Sequence, residues 1–591
     1  MQVLLNHVGY HPASRKRAIV QHDAPIAPRA FAVVDARTRR VVHAGTLAPL
    51  APVAGWKGRH FAAADFDAVD APGVYTLVLD GPWPPVASER FAIGETLFGG
   101  QMLSDIVHYF KSQRCTGLFD DADRRAPLLD TRAPRDVHGG WYDASGDSSK
   151  YLSHLSYANF MNPQQTPLVT WALLEGRERI PAQSTWFDER IVDEALHGAD
   201  FLVRMQSPEG FFYMTVFDRW SKDPHQREIC AYATQQGHKS ADYQAGFRQG
   251  GGLAVAALAR AAGAPRDGEH TRERYLAAAV RGFEVLEARN AEFVDDHEDN
   301  LIDDYCALLA ATELLARTGD ARWRGAAARY AQRLVAQQDA RGFYWCDRAR
   351  TRSFFHASDA GLPHLALIRF LEVAAADTDP AADAALFDGI RATVARGLRF
   401  ELDATLDGGP NPFGYPRQHV ALPGRAAARQ FFMPHDNESG YWWQGENARL
   451  ASLATAALAA LRLRLRDDEL TPRSSGQLDI YARRILDWIF GANPFDACML
   501  QGWGHAPPRY ESGFWNAAGG VCNGITSGLD DENDIDFRKP EETVPTHSWR
   551  WTEQWIPHAA WLYCALAQGL TTPDTPHPSS VPAPVLTPQH G

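Results

Sequence analysis

The chain has 591 residues, 45% of them hydrophobic and 22% charged, which is long for one domain and ample for a large core. A formal charge of -13 lacks the basic surface that nucleic acid or an anionic membrane selects, and no run of about 18 apolar residues exists to cross a bilayer. Seven dispersed cysteines form no CxxC pair and no metal-ligand spacing, and Met1 opens no basic, apolar leader, so the sequence reads as a protein working in the cytoplasm with reduced thiols.

Residues 1–94 have strand character. Ala30-Phe31-Ala32-Val33-Val34-Asp35, Arg40-Val41-Val42-His43-Ala44 and Gly73-Val74-Tyr75-Thr76-Leu77-Val78-Leu79 are short, β-branched and bounded by Gly, Pro or Asp, as in a small antiparallel sandwich. From Glu95 the period becomes helical. Phe98, Met102, Leu103, Ile106, Val107 and Phe110 fall on one face, as do Ile191, Ala195, Leu196, Ala199, Leu202 and Val203. Further runs cover roughly 247–263, 272–288, 301–317, 321–338, 359–375, 382–400, 446–465, 475–490 and 554–569. Gly319-Asp320 separates two of them as stop and N-cap. No strand is expected beyond position 95, and about a dozen helices fit either a closed toroid of hairpins, over 95–570, or an open solenoid. The tail 571–591, rich in proline, reads as unstructured.

Four long loops, 113–163, 207–246, 402–444 and 492–552, hold the Gly, Pro and aromatic residues that helices avoid. The first contains Gly139-Gly140-Trp141-Tyr142-Asp143-Ala144-Ser145-Gly146-Asp147. Its glycines allow the backbone to turn so that two carboxylates face one point, with the Tyr142 ring beside them. A pair of acids with a third arriving from elsewhere is the apparatus of glycosidic bond hydrolysis, whereas a surface turn or a calcium loop would use the same residues. The third acid on offer is Glu553, in Ser548-Trp549-Arg550-Trp551-Thr552-Glu553-Gln554-Trp555, where tryptophans such as Trp551 favour the protonated form and a proton-donor role. A first-turn helix glutamate would look the same. His435-Asp436-Asn437-Glu438, followed by Tyr441, Trp442 and Trp443, admits three readings: a metal site, a polar helix cap, or a sugar subsite with a stacking Trp442. The 17 tryptophans suit sugar stacking and inter-helix packing equally.

Several of these stretches occur in one order. They include Val3-Leu4-Leu5-Asn6-His7-Val8-Gly9-Tyr10, the Gly140–Tyr151 segment, Trp488-Ile489-Phe490-Gly491-Ala492-Asn493-Pro494, Gly502-Trp503-Gly504, and the acidic run 524–538 with Asp531, Glu532, Asn533, Asp534 and Asp536. Together they resemble glycoside hydrolase family nine, inverting β-1,4-glucanases in which an immunoglobulin-like β-sandwich precedes an (α/α)6 barrel. The resemblance implies Asp147 as the general base, Asp143 as the aspartate helping to hold its water, and Glu553 as the general acid. It implies an oligosaccharide partner, for which the candidate contacts in this sequence are Tyr142, His435, Asp436, Glu438, Trp442, Trp503 and Trp551. No cofactor is required; the family often carries structural calcium, but no all-oxygen cage is identifiable.

The sequence also departs from the family. Ser145 spaces the aspartates by four rather than three, and Arg509-Tyr510-Glu511-Ser512-Gly513-Phe514-Trp515-Asn516 lacks the His-His-Arg substrate motif. The loop form Asp143-Ala144-Ser145-Gly146-Asp147 and Tyr151-Leu152-Ser153-His154-Leu155-Ser156-Tyr157 resemble the exo-β-glucosaminidase branch, with Asp436 and Glu438 available to anchor a cationic amino group. The expectation is an inverting exo-β-glycosidase for short β-1,4-linked glucosaminyl oligosaccharides. The alternatives are an endo-β-1,4-glucanase and a sugar-binding protein without catalysis. Oligomeric state is not legible.

Overall fold

The computed structural model describes residues 1–570 apart from 82–85, 182–183, 235, 376–383, 407, 441–443, 464–473, 511–513, 529–530 and 537–547. Eight strands come first: β1 (Gln2–Leu4), β2 (Arg17–His22), β3 (Ala30–Asp35), β4 (Val41–Thr46), β5 (Ala48–Pro49), β6 (His60–Asp65), β7 (Gly73–Leu79) and β8 (Phe91–Ile93). They form two antiparallel sheets, β1-β2-β6-β5 and β4-β3-β7-β8. Alternation in β7 turns Tyr75, Leu77 and Leu79 inward, where they meet Val20, Phe31 and Phe91. The first sheet is buried on both faces. Leu4, Ile19, Phe61 and Ala63 point the other way into the core of the helical region, with Trp56 packed on Phe413, Phe431 and Trp488.

The helices are α1 (Gly100–Ser112), α2 (Leu118–Asp123), α3 (Thr166–Arg179), α4 (Thr185–Arg204), α5 (Gly252–Ala261), α6 (Arg272–Phe293), α7 (Leu301–Thr318), α8 (Ala321–Gln337), α9 (Leu362–Ala374), α10 (Ala384–Leu406), α11 (Asn447–Arg462), α12 (Ser474–Ile489), α13 (Trp549–Thr552) and α14 (Ile556–Gly569). Each of α3, α5, α7, α9, α11 and α14 packs on the next, and α14 returns to α3, so an inner ring of six closes. Helices α1, α4, α6, α8, α10 and α12 lie outside it, which makes an (α/α)6 barrel rather than a solenoid. The punctuation at Gly319-Asp320 acts as its chemistry requires. Gly319 closes α7 at φ 67, and the Asp320 carboxylate accepts from the Arg322 amide at 2.9 Å to cap α8.

One helix escapes the sequence reading, and one expectation needs correction. Helix α3 carries no stripe to read because nearly all its residues are buried, as an inner-ring position demands. Strands also exist beyond position 95: Lys150–Tyr151, Thr215–Phe217, Glu228–Ala233 and His238–Ser240 form a four-stranded antiparallel sheet, and shorter pairs occur elsewhere. Its strands are two to six residues long, too short for alternation to show, and its first pairing joins segments far apart in sequence. The tail 571–591 lies outside the described residues. Among the described residues no helix is long and apolar enough to cross a membrane.

Candidate active site

The loops that enter the N-terminal ends of the inner helices gather at one mouth of the ring. Gly139 and Gly140 turn the chain at φ 78 and 72, and a Cβ on Gly140 would stand 2.8 Å from the Phe201 ring. Trp141 is buried, its indole N–H donating to Glu194 Oε1 at 2.7 Å. Behind the loop, buried Lys150 pairs with Asp123 at 2.7 Å and donates to the carbonyls of Val137 and Gly139. Arg227 clamps the same Asp123 at 2.6 and 2.7 Å.

This loop is stitched to the segment leading into α14. The Ser145 amide donates to the Gln554 carbonyl at 2.8 Å, and the Gln554 amide donates back to Ser145 Oγ at 2.9 Å. The Ile556 amide donates to the Asp143 carbonyl, and the Trp555 indole donates to Asp143 Oδ1 at 2.7 Å. Ser145, the residue that widens the aspartate spacing, thus holds the two segments together. Glu553 sits over the loop: a Cβ on Gly146 would lie 2.7 Å from Glu553 Oε1. It follows α13 in extended backbone and is not a first-turn helix residue.

The three carboxyls have different surroundings. Asp143 is buried, and its pKa is pushed well above the ordinary aspartate range by burial, then by the charges of Asp147 and Glu553, against the Trp555 N–H. Asp147 accepts from the Ser149 amide at 2.8 Å and the Tyr151 hydroxyl at 2.9 Å. Enclosure by protein raises its pKa too, but those donors favour its charged form. Of the pair, Asp143 is therefore the one whose surroundings disfavour the charged form more. Enclosure and the charge of Asp147 push Glu553 up to about 8, with Tyr510, Asn523 and Lys222 pulling the other way. His154 Nδ1 lies 3.6 Å from Asp143 Oδ2, and burial pushes this imidazole down to about 3, so it is neutral. Among the described residues no Lys or Arg forms an ion pair with any of the three acids.

The other expected residues divide. The segment carrying His435, Asp436 and Glu438 lies beside the site, since Met433 shares a small core with Ala144, Phe355 and Trp555, and the Tyr157 hydroxyl donates to the Ser439 carbonyl at 3.2 Å. His435 is taken up by Glu532, which accepts from its amide at 2.8 Å, and by Ser527 Oγ, 2.9 Å from its Nε2. Glu438 pairs with buried Arg352 and is not open to a substrate amine, whereas Asp436 pairs with Arg425 on the surface and stays exposed. Trp551 is fully buried and offers no stacking face. The Trp503 indole is turned onto α1, donating to Asp105 Oδ2 at 3.1 Å. Tyr142 is half-buried, edge-on to Phe119, with its hydroxyl 3.4 Å from the Thr116 carbonyl. Trp442 lies outside the described residues.

Several contributors escape sequence reasoning. The Tyr510 hydroxyl donates to Glu553 Oε1 at 3.4 Å, and Asn516 bridges Ser145 Oγ (3.2 Å) and the Thr552 carbonyl (2.8 Å), both within the stretch that lacks the His-His-Arg motif. Trp515 between them is 81% exposed, a free indole at the mouth. Asp218 and Lys222 come from the second long loop. Among the described residues one group, His7, Asp496 and His505, has metal-ligand composition. However, His7 Nδ1 accepts from the His505 amide (3.3 Å), leaving its proton on Nε2 for Asp496 (2.9 Å), so the trio acts as a hydrogen-bonded latch between sandwich and barrel.

Comparison with known proteins agrees with this architecture. Residues 100–515 match the family Glycosyl hydrolase family 9, and residues 1–82 match the cellulase N-terminal Ig-like domain. Glu553 lies beyond the matched stretch. A metagenome-derived family 9 endoglucanase superposes with TM-score 0.64 at 22% identity, covering 96% of this chain and 98% of its own. A family 9 protein of Bacteroides ovatus gives 0.63 at 18%, with the same coverage. An endoglucanase of the termite Nasutitermes takasagoensis gives 0.52 at 15%, covering 80% of this chain and 98% of its own. At these identities the likeness is one of fold. No curated protein sequence matches the chain.

Proposed function

The chain belongs to glycosyl hydrolase family 9, and from that premise we propose that it hydrolyses short β-1,4-linked oligosaccharides with inversion, releasing glucosaminyl units from one end, inside the cell. The observation that carries the reading is the stitched pair of loops bringing Asp143, Asp147 and Glu553 to one mouth. In the proposed reaction, Asp147, whose two donors favour its anionic form, takes a proton from water attacking the anomeric carbon. Asp143 keeps its proton and helps to hold that water. Glu553, protonated up to about pH 8, gives its proton to the leaving oxygen from the opposite side.

Asp147, for which no described Lys or Arg forms an ion pair, favours a cationic group nearby, which supports an aminated sugar. The short sheet beginning at Lys150–Tyr151 lays Tyr151, Phe217 and Tyr232 against the loop of Asp147, a wall suited to a cleft closed at one end. All seven cysteines are buried and free of disulfides, in keeping with a reducing compartment.

A second reading, cleavage of neutral cello-oligosaccharides or β-glucan, is favoured by the enclosed Arg352–Glu438 pair, which neutralises one of the acids expected to hold an amine. Chitosan disaccharide and cellobiose, assayed side by side with products resolved, separate the two. Monomer from the aminated substrate alone is expected. Loss of viscosity in a soluble cellulose derivative without monomer release would refute the exo-glucosaminidase reading.

A further inference from the structure

Asp218 ends the strand Thr215–Phe217 and is fully buried. Its carboxylate accepts four hydrogen bonds. Oδ1 takes the Ser149 hydroxyl (2.9 Å) and the Trp220 amide (3.1 Å); Oδ2 takes the Ser148 hydroxyl (2.8 Å) and the Lys222 amide (2.9 Å). Ser148 and Ser149 directly follow Asp147, and the Ser149 amide donates to Asp147 Oδ1. One side of Asp218 therefore grips the loop that carries the base.

The other side grips an unusual turn. Arg219, Trp220 and Lys222 adopt left-handed backbone, φ 60, 57 and 56, a conformation that residues with a Cβ accept only where their surroundings impose it. The turn is pinned by the two amides on Asp218 and by Trp220, whose ring stands edge-on to Phe217 and Tyr232. Its outcome is the position of Lys222. That ammonium lies 3.8 Å from the Phe514 ring centroid, Phe514 packs 4.7 Å from Tyr510, and Tyr510 donates to Glu553.

We propose that Asp218 is a positioning residue serving both ends of the reaction: through Ser148 and Ser149 it fixes the loop bearing Asp147, and through the amides of Trp220 and Lys222 it holds the left-handed turn that presents the Lys222 ammonium to the Glu553 side of the cleft. This rests on the roles given to Asp147 and Glu553 above. Loss of the Asp218 charge relieves repulsion on Asp147, and loss of the turn withdraws a cation from Glu553, so the two limbs of the pH profile move apart.

The test is the pH dependence of kcat/KM for D218N, K222M and D147N beside the parent enzyme. For D218N the bell widens on both sides, by on the order of half a pH unit, while kcat falls about tenfold or more and KM changes little. For K222M, an exposed position whose exchange spares the fold, only the alkaline limb moves, upward, and the shift shrinks in high salt. D147N with normal turnover would remove the base assignment beneath the proposal. With D147N inactive, a D218N or K222M bell that is lowered but not shifted overturns the proposal itself.

Discussion

The barrel buries carboxylates at both ends of its inner ring, and the two ends treat them in opposite ways. At the C-terminal ends of the inner helices, Glu175, Glu313 and Glu372 interlock with Arg179, Arg260, Arg369 and Arg462. Arg179 reaches Glu175 at 2.7 Å and Glu372 at 2.6 Å, Arg260 reaches Glu175 at 2.5 Å and Glu313 at 2.6 Å, and Arg369 reaches Glu313 at 3.0 Å. Burial alone would push these acids up, but the guanidinium charges outweigh it and all three are held below the ordinary glutamate range. At the other mouth no described Lys or Arg forms an ion pair with Asp143, Asp147 or Glu553, and burial with repulsion from neighbouring acids pushes all three up. One scaffold thus yields a charged plug at one end and a proton-handling site at the other. The difference lies in where the arginines are, not in how deep the acids are.

The sharpest way to break this comparison is to remove the acids that no described Lys or Arg neutralises. D147N and E553Q should each lose at least about a hundredfold in kcat while circular dichroism stays near that of the parent. Near-normal turnover in either variant would take that residue out of the chemistry. At the plug the effect should invert. R369M leaves Glu313 short of a cation in the interior and should cost about 3–5 kcal/mol in denaturant unfolding, with KM unchanged in the folded enzyme. A change in KM without a loss of stability would mean that the two ends are not separate.

What the sequence discloses follows the same division. The loop Asp143–Asp147 and Glu553 are legible because their residue types and flanks are local. The outer helices are legible because one face of each meets water. The plug is not, since nothing local tells Glu313 on α7 that Arg260 on α5 and Arg369 on α9 will meet it. The same blindness affects the expected subsite: Trp551 and Glu438 have suitable side chains, but burial takes the first and Arg352 takes the other. Asp218 is invisible for the converse reason, because its worth lies in four donors drawn from two loops.

Stability against pH sharpens the contrast further. The folded pKa of Glu553, about 8, stands above its unfolded value, so the stability it contributes is present at low pH and lost as pH rises toward 8. E553Q should therefore melt higher than the parent on the alkaline side, with the gap opening from about pH 4.5 and levelling above pH 8. For Glu175, Glu313 and Glu372 the sign reverses. Their folded pKa values are depressed, so their contribution holds above the ordinary glutamate range and is lost as pH falls through the folded values, which makes the plug the part that fails in acid. A melting curve for E553Q parallel to the parent at every pH would contradict the first half.

The smallest expected effect is that of Y510F. The Tyr510 hydroxyl favours ionised Glu553, so its removal should raise the alkaline limb of kcat/KM by a few tenths of a pH unit, about the worth of one long hydrogen bond. A limb that moves down would mean that the hydroxyl stabilises the protonated acid instead.

Inversion requires a water held by Asp147 to attack from the face opposite Glu553. Nuclear magnetic resonance of the sugar released in the first minutes from a β-linked oligosaccharide tests it directly. The α-anomer should appear first and then mutarotate; initial release of the β-anomer would contradict it.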